Sequence, residues 1–307
     1  MAEGRTRIWL VKRPAEKCCK SIEIGDMLRK EFVDKYNDEM VEAFSELFNT
    51  ARKKMFHSGD LLLCQQNGTM FGKDTVIGLG EEGLNSLQQI NALYYNGIGK
   101  MTEDNDYFKK HGNDFFHGTS ELELSIQAEM KAYKEIWENV YFLRVLTEVV
   151  RVVNGERYDW QLDMYKLGNN KSNHIRDKII KKLDACPKFR EAMKTAYRRQ
   201  IRNAEAHSQY QIIQGGIWFD NYKKVNADEV QGICFDEWER IYCYSYLIFK
   251  GILDHLKSIV QQLYFPATLI TQTGGIPILC YYYNGTWGEA YIYPDKTGKT
   301  WRFQKQI

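Results

Sequence analysis

Residues 196–210, AYRRQIRNAEAHSQY, set Arg199, Arg202, Asn203 and His207 within nine positions. An imidazole among guanidinium donors suits a phosphate. Cutting RNA requires a base that titrates near neutrality to take the ribose 2′-proton, and fixed donors for the charge on a pentacoordinate phosphorus. His207 and Arg202 supply one of each, and Asn203 can orient the ribose or phosphate through its amide. These three are the catalytic candidates, flanked by Lys194, Arg198, Arg199 and Tyr210 as candidate RNA contacts. A histidine near a helix end also satisfies backbone carbonyls, so the case rests on the donors around it. A second proton donor for the leaving 5′-oxygen is missing from one such segment. A symmetric copy would bring it, which predicts an obligate homodimer.

These side chains need a scaffold. Phe189, Met193, Ala196, Tyr197, Ile201 and Ala204 recur at helical spacing and predict one helix over 188–206 with an apolar face. At about 100° per residue, Arg199, Asn203 and His207 form a stripe beside that face. Arg202 lies about 140° from His207, an angle only a long side chain bridges. Upstream, Ile24, Leu28, Phe32, Tyr36, Met40, Phe44 and Phe48 recur every fourth residue, an amphipathic helix. Asn67-Gly68 between short apolar runs predicts a type I′ hairpin, and 86–101 returns to helical spacing. Ser120 and Glu123 form a capping box, followed by one unbroken helix of about nine turns to Asn154-Gly155. The WQLDMYKLG segment reads as helical. Two short strands are expected around Gly215-Gly216, then a long apolar helix ended by Pro266. The last forty residues alternate β-branched and aromatic side chains between Gly-Gly, Asn-Gly and Lys-Thr-Gly turns, an antiparallel meander.

Composition bounds the partners. The chain has 307 residues, 44% of them hydrophobic, enough for a core, and a net charge of only +2. An anionic partner must therefore meet a local patch. Lys171 to Arg202 holds eleven Lys or Arg against Asp177, Asp184 and Glu191, either a solvated helix face or a phosphate groove. Seven cysteines without a C-x-x-C pair signal neither a disulfide framework nor a zinc ribbon. His111 and His117 flank Asp114 at a spacing that matches no metal motif, so no metal or cofactor is expected. His174 and His255 have no clustered partners in the sequence. No phosphate-loop, dinucleotide or serine-hydrolase motif is present. The opening MAEGRTRIWLVKRPAEKCC breaks its apolar run with Lys12 and Arg13, and no later stretch is long enough for a membrane span, which predicts a cytoplasmic protein. The aromatic tail, with Tyr281, Tyr282, Tyr283, Trp287, Tyr291, Tyr293 and Trp301, could stack bases, although small meanders use such residues for their own core.

At Arg202, Asn203 and His207 the sequence RNAEAH resembles the HEPN superfamily, helical domains whose signature is Arg, a polar residue, three more positions and His. Small residues Ala204 and Ala206, a long helix before and a strand pair with an apolar helix after extend the likeness over roughly 120–262, about half the chain. The resemblance implies a mainly α architecture: a HEPN-like bundle over 119–264 with a β-hairpin insertion. An N-terminal α/β extension over 1–118 and a C-terminal meander over 265–307 would flank it. It implies a metal-independent endoribonuclease working as a dimer, with Arg and His of both copies lining a cleft and a 2′,3′-cyclic phosphate as product. Members commonly act as toxins or phage-defence effectors held by a regulatory partner or trigger. Some carry a tyrosine two places after the His that a partner modifies; here Tyr210 is three places after, and that regulation is not carried over. A non-catalytic HEPN-like dimer that binds nucleic acid or a protein is the alternative.

Overall fold

The computed structural model describes residues 30–66, 76–77, 80–92, 121–213, 216–224, 226, 229–270, 275–282, 285–295 and 300–303. The Asn67-Gly68 turn, the 101–120 loop with His111, His117 and Ser120, and Cys18-Cys19 lie outside them. In chain order the helices begin with α1 (Lys30–Lys54), α2 (Asp60–Leu63), strand β1 (Val76–Ile77) and α3 (Gly80–Ala92). Then come α4 (Glu121–Glu138), α5 (Val140–Val153), α6 (Lys171–His174), α7 (Pro187–Ala196) and α8 (Arg199–Ala206). Strands β2 (Tyr210–Ile213), β3 (Gly216–Phe219) and β4 (Gly232–Cys234) precede α9 (Phe235–Ile270). Strands β5 (Ile276–Tyr281), β6 (Trp287–Asp295) and β7 (Thr300–Phe303) close the sequence of elements. The architecture is mainly α with two small antiparallel sheets.

Ile24 and Leu28 lie outside the described residues, but from Tyr36 on the stripe does what its spacing predicts: Tyr36, Met40, Phe44, Leu47, Phe48 and Ala51 are buried, against α5, α7 and α9. His255 on α9 is stacked by Phe44 and Phe48 at ring separations of 5.0 and 4.7 Å, and its Nδ1 meets the Gly251 carbonyl at 2.8 Å. That histidine is structural. Gly251 lets the two helices close up, because a Cβ there would sit 2.1 Å from the Phe44 ring. Gly251→Ala should therefore cost about 2 kcal/mol in urea unfolding, overpacking outweighing alanine's roughly 1 kcal/mol helix preference. Adding Phe44→Leu should recover most of it; a stabilised single variant would refute the close packing.

Several expectations fail locally. The run 121–153 is two helices, because Asn139 leaves helical geometry (φ −68°, ψ 113°) and its Oδ1 accepts the Phe142 N–H at 2.9 Å. Its amide also donates to Ser86 Oγ at 2.8 Å, so the cap is fixed from α3. Residues 61–63 belong to α2 and are not the first arm of a hairpin, and the 160–168 segment is helical only from Tyr165, in a 3-10 element over Tyr165–Asn170 that Gly168 (φ 48°) interrupts. The helix α9 continues through Pro266 to Ile270, since one missing N–H near a helix end removes a single bond. Three strands, not two, follow α8, in the order β2-β3-β4.

The meander forms as expected, with Gly285 at φ +79° in the β5–β6 turn. It acquires a fourth strand from far away in sequence, β1, giving the order β1-β7-β6-β5. Trp160 donates from Nε1 to the Leu279 carbonyl at 3.4 Å, and Ile276 and Ile278 pack over Gly59 before α2. Buried side chains from 1–118, 119–264 and 265–307 join one cluster. Among the described residues no helix is long and apolar enough to cross a membrane.

Candidate functional site

The helix expected over 188–206 is broken in the middle. Tyr197 (φ −92°, ψ 115°) and Arg198 (φ −124°, ψ 108°) are extended, so α7 stops at Ala196 and α8 starts at Arg199. The break is held by buried side chains from other helices. Tyr133 on α4 accepts the Arg198 N–H at 2.8 Å and offers its O–H to the carbonyls of Ala196 (3.1 Å) and Arg198 (3.3 Å). Ser245 on α9 donates to the same Ala196 carbonyl at 3.1 Å and accepts the Trp137 indole N–H at 3.2 Å. Backbone groups released by the break are thereby satisfied without water. Tyr133→Phe strands the Arg198 N–H and should cost about 2 kcal/mol by chemical denaturation. A loss below about 0.5 kcal/mol would mean that the break needs no such support.

At its far end α8 closes with a Schellman arrangement. The Gln209 N–H bonds the Ala204 carbonyl at 2.8 Å and the Ser208 N–H that of Glu205 at 3.3 Å. Ser208 takes the left-handed position at φ 52°, where glycine is usual. His207 is the cap residue, exposed, and its ring makes no hydrogen bond among the described residues. Its backbone N–H bonds the Asn203 carbonyl at 3.1 Å, while the half-buried Asn203 amide bonds nothing described.

Arg202 faces the other way. Its side chain is 14% exposed, with Nη1 2.7 Å from Glu138 Oε1 and Nη2 donating to Ser172 Oγ. The Nε is buried without a partner among the described residues. Glu138 ends α4, where Lys171 meets both its carboxylate and its carbonyl at 2.9 Å, a cation at a helix C-terminus. Glu138, Lys171 and Ser172 thus belong to the surroundings of Arg202, and sequence reasoning did not single them out. Their spacing of 30 to 64 residues leaves no local signal; the Asn139 cap that ends α4 was the one available hint. No hydrogen bond or ion pair joins Arg202 to His207, although both ride on α8.

Most cations of the basic run have an acidic partner, although some share one. Eight of its eleven cations are ion-paired, including Lys188 with Glu42, Lys182 with Glu156 and Lys194 with Glu191. Lys178, Arg198 and Arg199 are exposed and carry no carboxylate partner among the described residues. Tyr210 is half-buried and faces Glu205; burial first, then that carboxylate, pushes its phenol up. His174 bonds Thr147 Oγ1 at 2.9 Å, and burial, then Lys178, holds it below the usual imidazole range. The five described cysteines are free thiols, four of them buried, and no group of three or more His, Cys, Asp or Glu among the described residues could hold a metal ion.

What the chain defines at this level is a mainly α protein whose α8 presents an imidazole at its C-terminal end and guanidinium groups at its start. Comparison with family models, with curated proteins and with solved structures finds no match.

Proposed function

We propose that the chain is a metal-independent endoribonuclease of HEPN type, acting as a homodimer in toxin or phage-defence biology. The observation that supports it most is the exposed His207 imidazole, with no hydrogen bond among the described residues, at the end of the helix that Arg198 and Arg199 open without a described carboxylate partner. His207 takes the proton from a ribose 2′-oxygen, which attacks phosphorus; the bond to the 5′-oxygen breaks and leaves a 2′,3′-cyclic phosphate. The leaving oxygen takes its proton from an acid on the second copy. Arg198, Arg199 and Lys194 hold phosphates, and Arg202, tied to Glu138, positions α8.

A second reading has its own support. The Arg202–Glu138–Ser172 contacts give Arg202 a structural job, which suits a dimer that binds RNA or a partner protein without cutting it. Incubating the purified chain with total RNA in excess chelator, then analysing the 3′-ends, separates the two. Cyclic phosphate ends from wild type and none from His207→Ala support the nuclease; intact RNA retained on the protein supports the binding module.

A further inference from the structure

The outward side of the C-terminal sheet carries features that α8 does not explain. Along β6, Trp287 and Tyr291 are 42% and 45% exposed, while Ile292 beside them is buried. Phe56, just past the end of α1, is 56% exposed. Arg157 lies against both, its guanidinium carbon 5.3 Å from the Trp287 ring centre and 5.9 Å from that of Phe56. Tyr281 continues the row, 5.3 Å from Trp287. The Trp301 ring, by contrast, is buried, so the tail's aromatics divide between core and surface.

This arrangement is held in place. Arg151 grips the Arg157 carbonyl with Nε at 3.0 Å and Nη2 at 2.8 Å. The turn at Gly155 lies against the Lys54 carbonyl, which brings the end of α1 to the same place. There Arg52, Lys53 and Lys54 are exposed, and like Arg157 they have no carboxylate partner among the described residues. Glu289, which falls between Trp287 and Tyr291 along β6, faces His57 at 3.7 Å, and Glu156 faces Arg151 at 3.1 Å.

Half-exposed aromatic rings beside cations that no described carboxylate pairs are what an unpaired nucleotide strand requires, rings for its bases and positive charge for its phosphates. A protein interface also uses aromatic rings and arginine but is depleted in lysine, and here Lys53 and Lys54 flank the rings beside Arg52. We infer that Phe56, Arg157, Trp287 and Tyr291, with Arg52, Lys53 and Lys54, form a docking platform for single-stranded RNA, separate from α8. The choice of RNA rests on the preceding reading of function, but strand binding is measured independently of cleavage.

The test uses the full chain and a fluorescein-labelled 2′-O-methyl oligouridine, which lacks the attacking hydroxyl and so is not consumed. Fluorescence anisotropy should give binding that Trp287→Ala and Phe56→Ala each weaken roughly tenfold. Changing Arg52, Lys53 and Lys54 together to Gln should lower the log–log salt slope by about 2. Light scattering should show the same oligomeric state for all variants. Undiminished binding by the ring variants, absent binding by wild type at low salt, or dissociation of an oligomer on losing Trp287 would each overturn the platform. Failure of the nuclease reading would appear separately, as uncut native RNA with the oligouridine still bound.

Discussion

His207→Ala should lower RNA cleavage by about 10² to 10⁴-fold, the usual contribution of a positioned acid–base group. Its melting temperature should match the wild type, because the ring is exposed and makes no described hydrogen bond. That separation of activity from stability makes position 207 more informative than 202. Removing the Arg202 guanidinium leaves Glu138 beside Lys171 alone and exposes Ser172, so lost cleavage there would mix chemistry with a loosened α8. Wild-type cleavage by the histidine variant, measured as initial rates in excess chelator, would remove the imidazole from the mechanism.

Raising the pH should destabilise this fold, and Glu148→Gln should relieve much of the effect. Glu148 on α5 is wholly buried; its Oε2 accepts the Asp159 N–H at 3.1 Å and lies 3.7 Å from Arg151 Nε. Burial is the largest influence and pushes its carboxyl up from 4.5 to about 7, against the lowering effects of that N–H, Arg151 and Arg144. Between those values the folded chain holds a proton that the unfolded chain has lost, so stability falls as pH rises through the window. The full fall is about 3 kcal/mol and is complete once the folded group ionises. Glu129, buried against the Trp238 indole, is shifted the same way, so wild type keeps some pH dependence from it. Urea midpoints should show Glu148→Gln close to wild type at about pH 5 and clearly more stable at about pH 8. Parallel curves for the two proteins would show that Glu148 is not the group responsible.

Features written in short-range patterns were legible. The four-residue stripe from Tyr36 to Phe48, the long apolar helix after residue 234 and the β5–β6 hairpin at Gly285 each follow from spacing or a turn residue. They rest on neighbours a few positions away. The two interrupted helices were not legible, because an extended residue at 139 or 197–198 is stable only when distant groups support it. At 139 the freed Phe142 N–H is met by Asn139's own side chain, which Ser86 fixes from α3; at 197–198 Tyr133 and Ser245 meet the backbone groups directly. Nor did charge counting reveal that most cations of the basic run are ion-paired, since Glu42, Glu138 and Glu156 reach it from other elements.

By itself, then, the sequence determined which residue types lie around 194–210 and that most of the chain would be helical, since side-chain chemistry and periodicity are local properties. Only the tertiary structure decided that Arg202 turns inward to Glu138 while His207 stays in solvent, and that Phe56, Arg157 and Trp287 meet. A side chain's direction and its partners depend on how separate elements pack, and each of those contacts spans tens of residues or more along the chain.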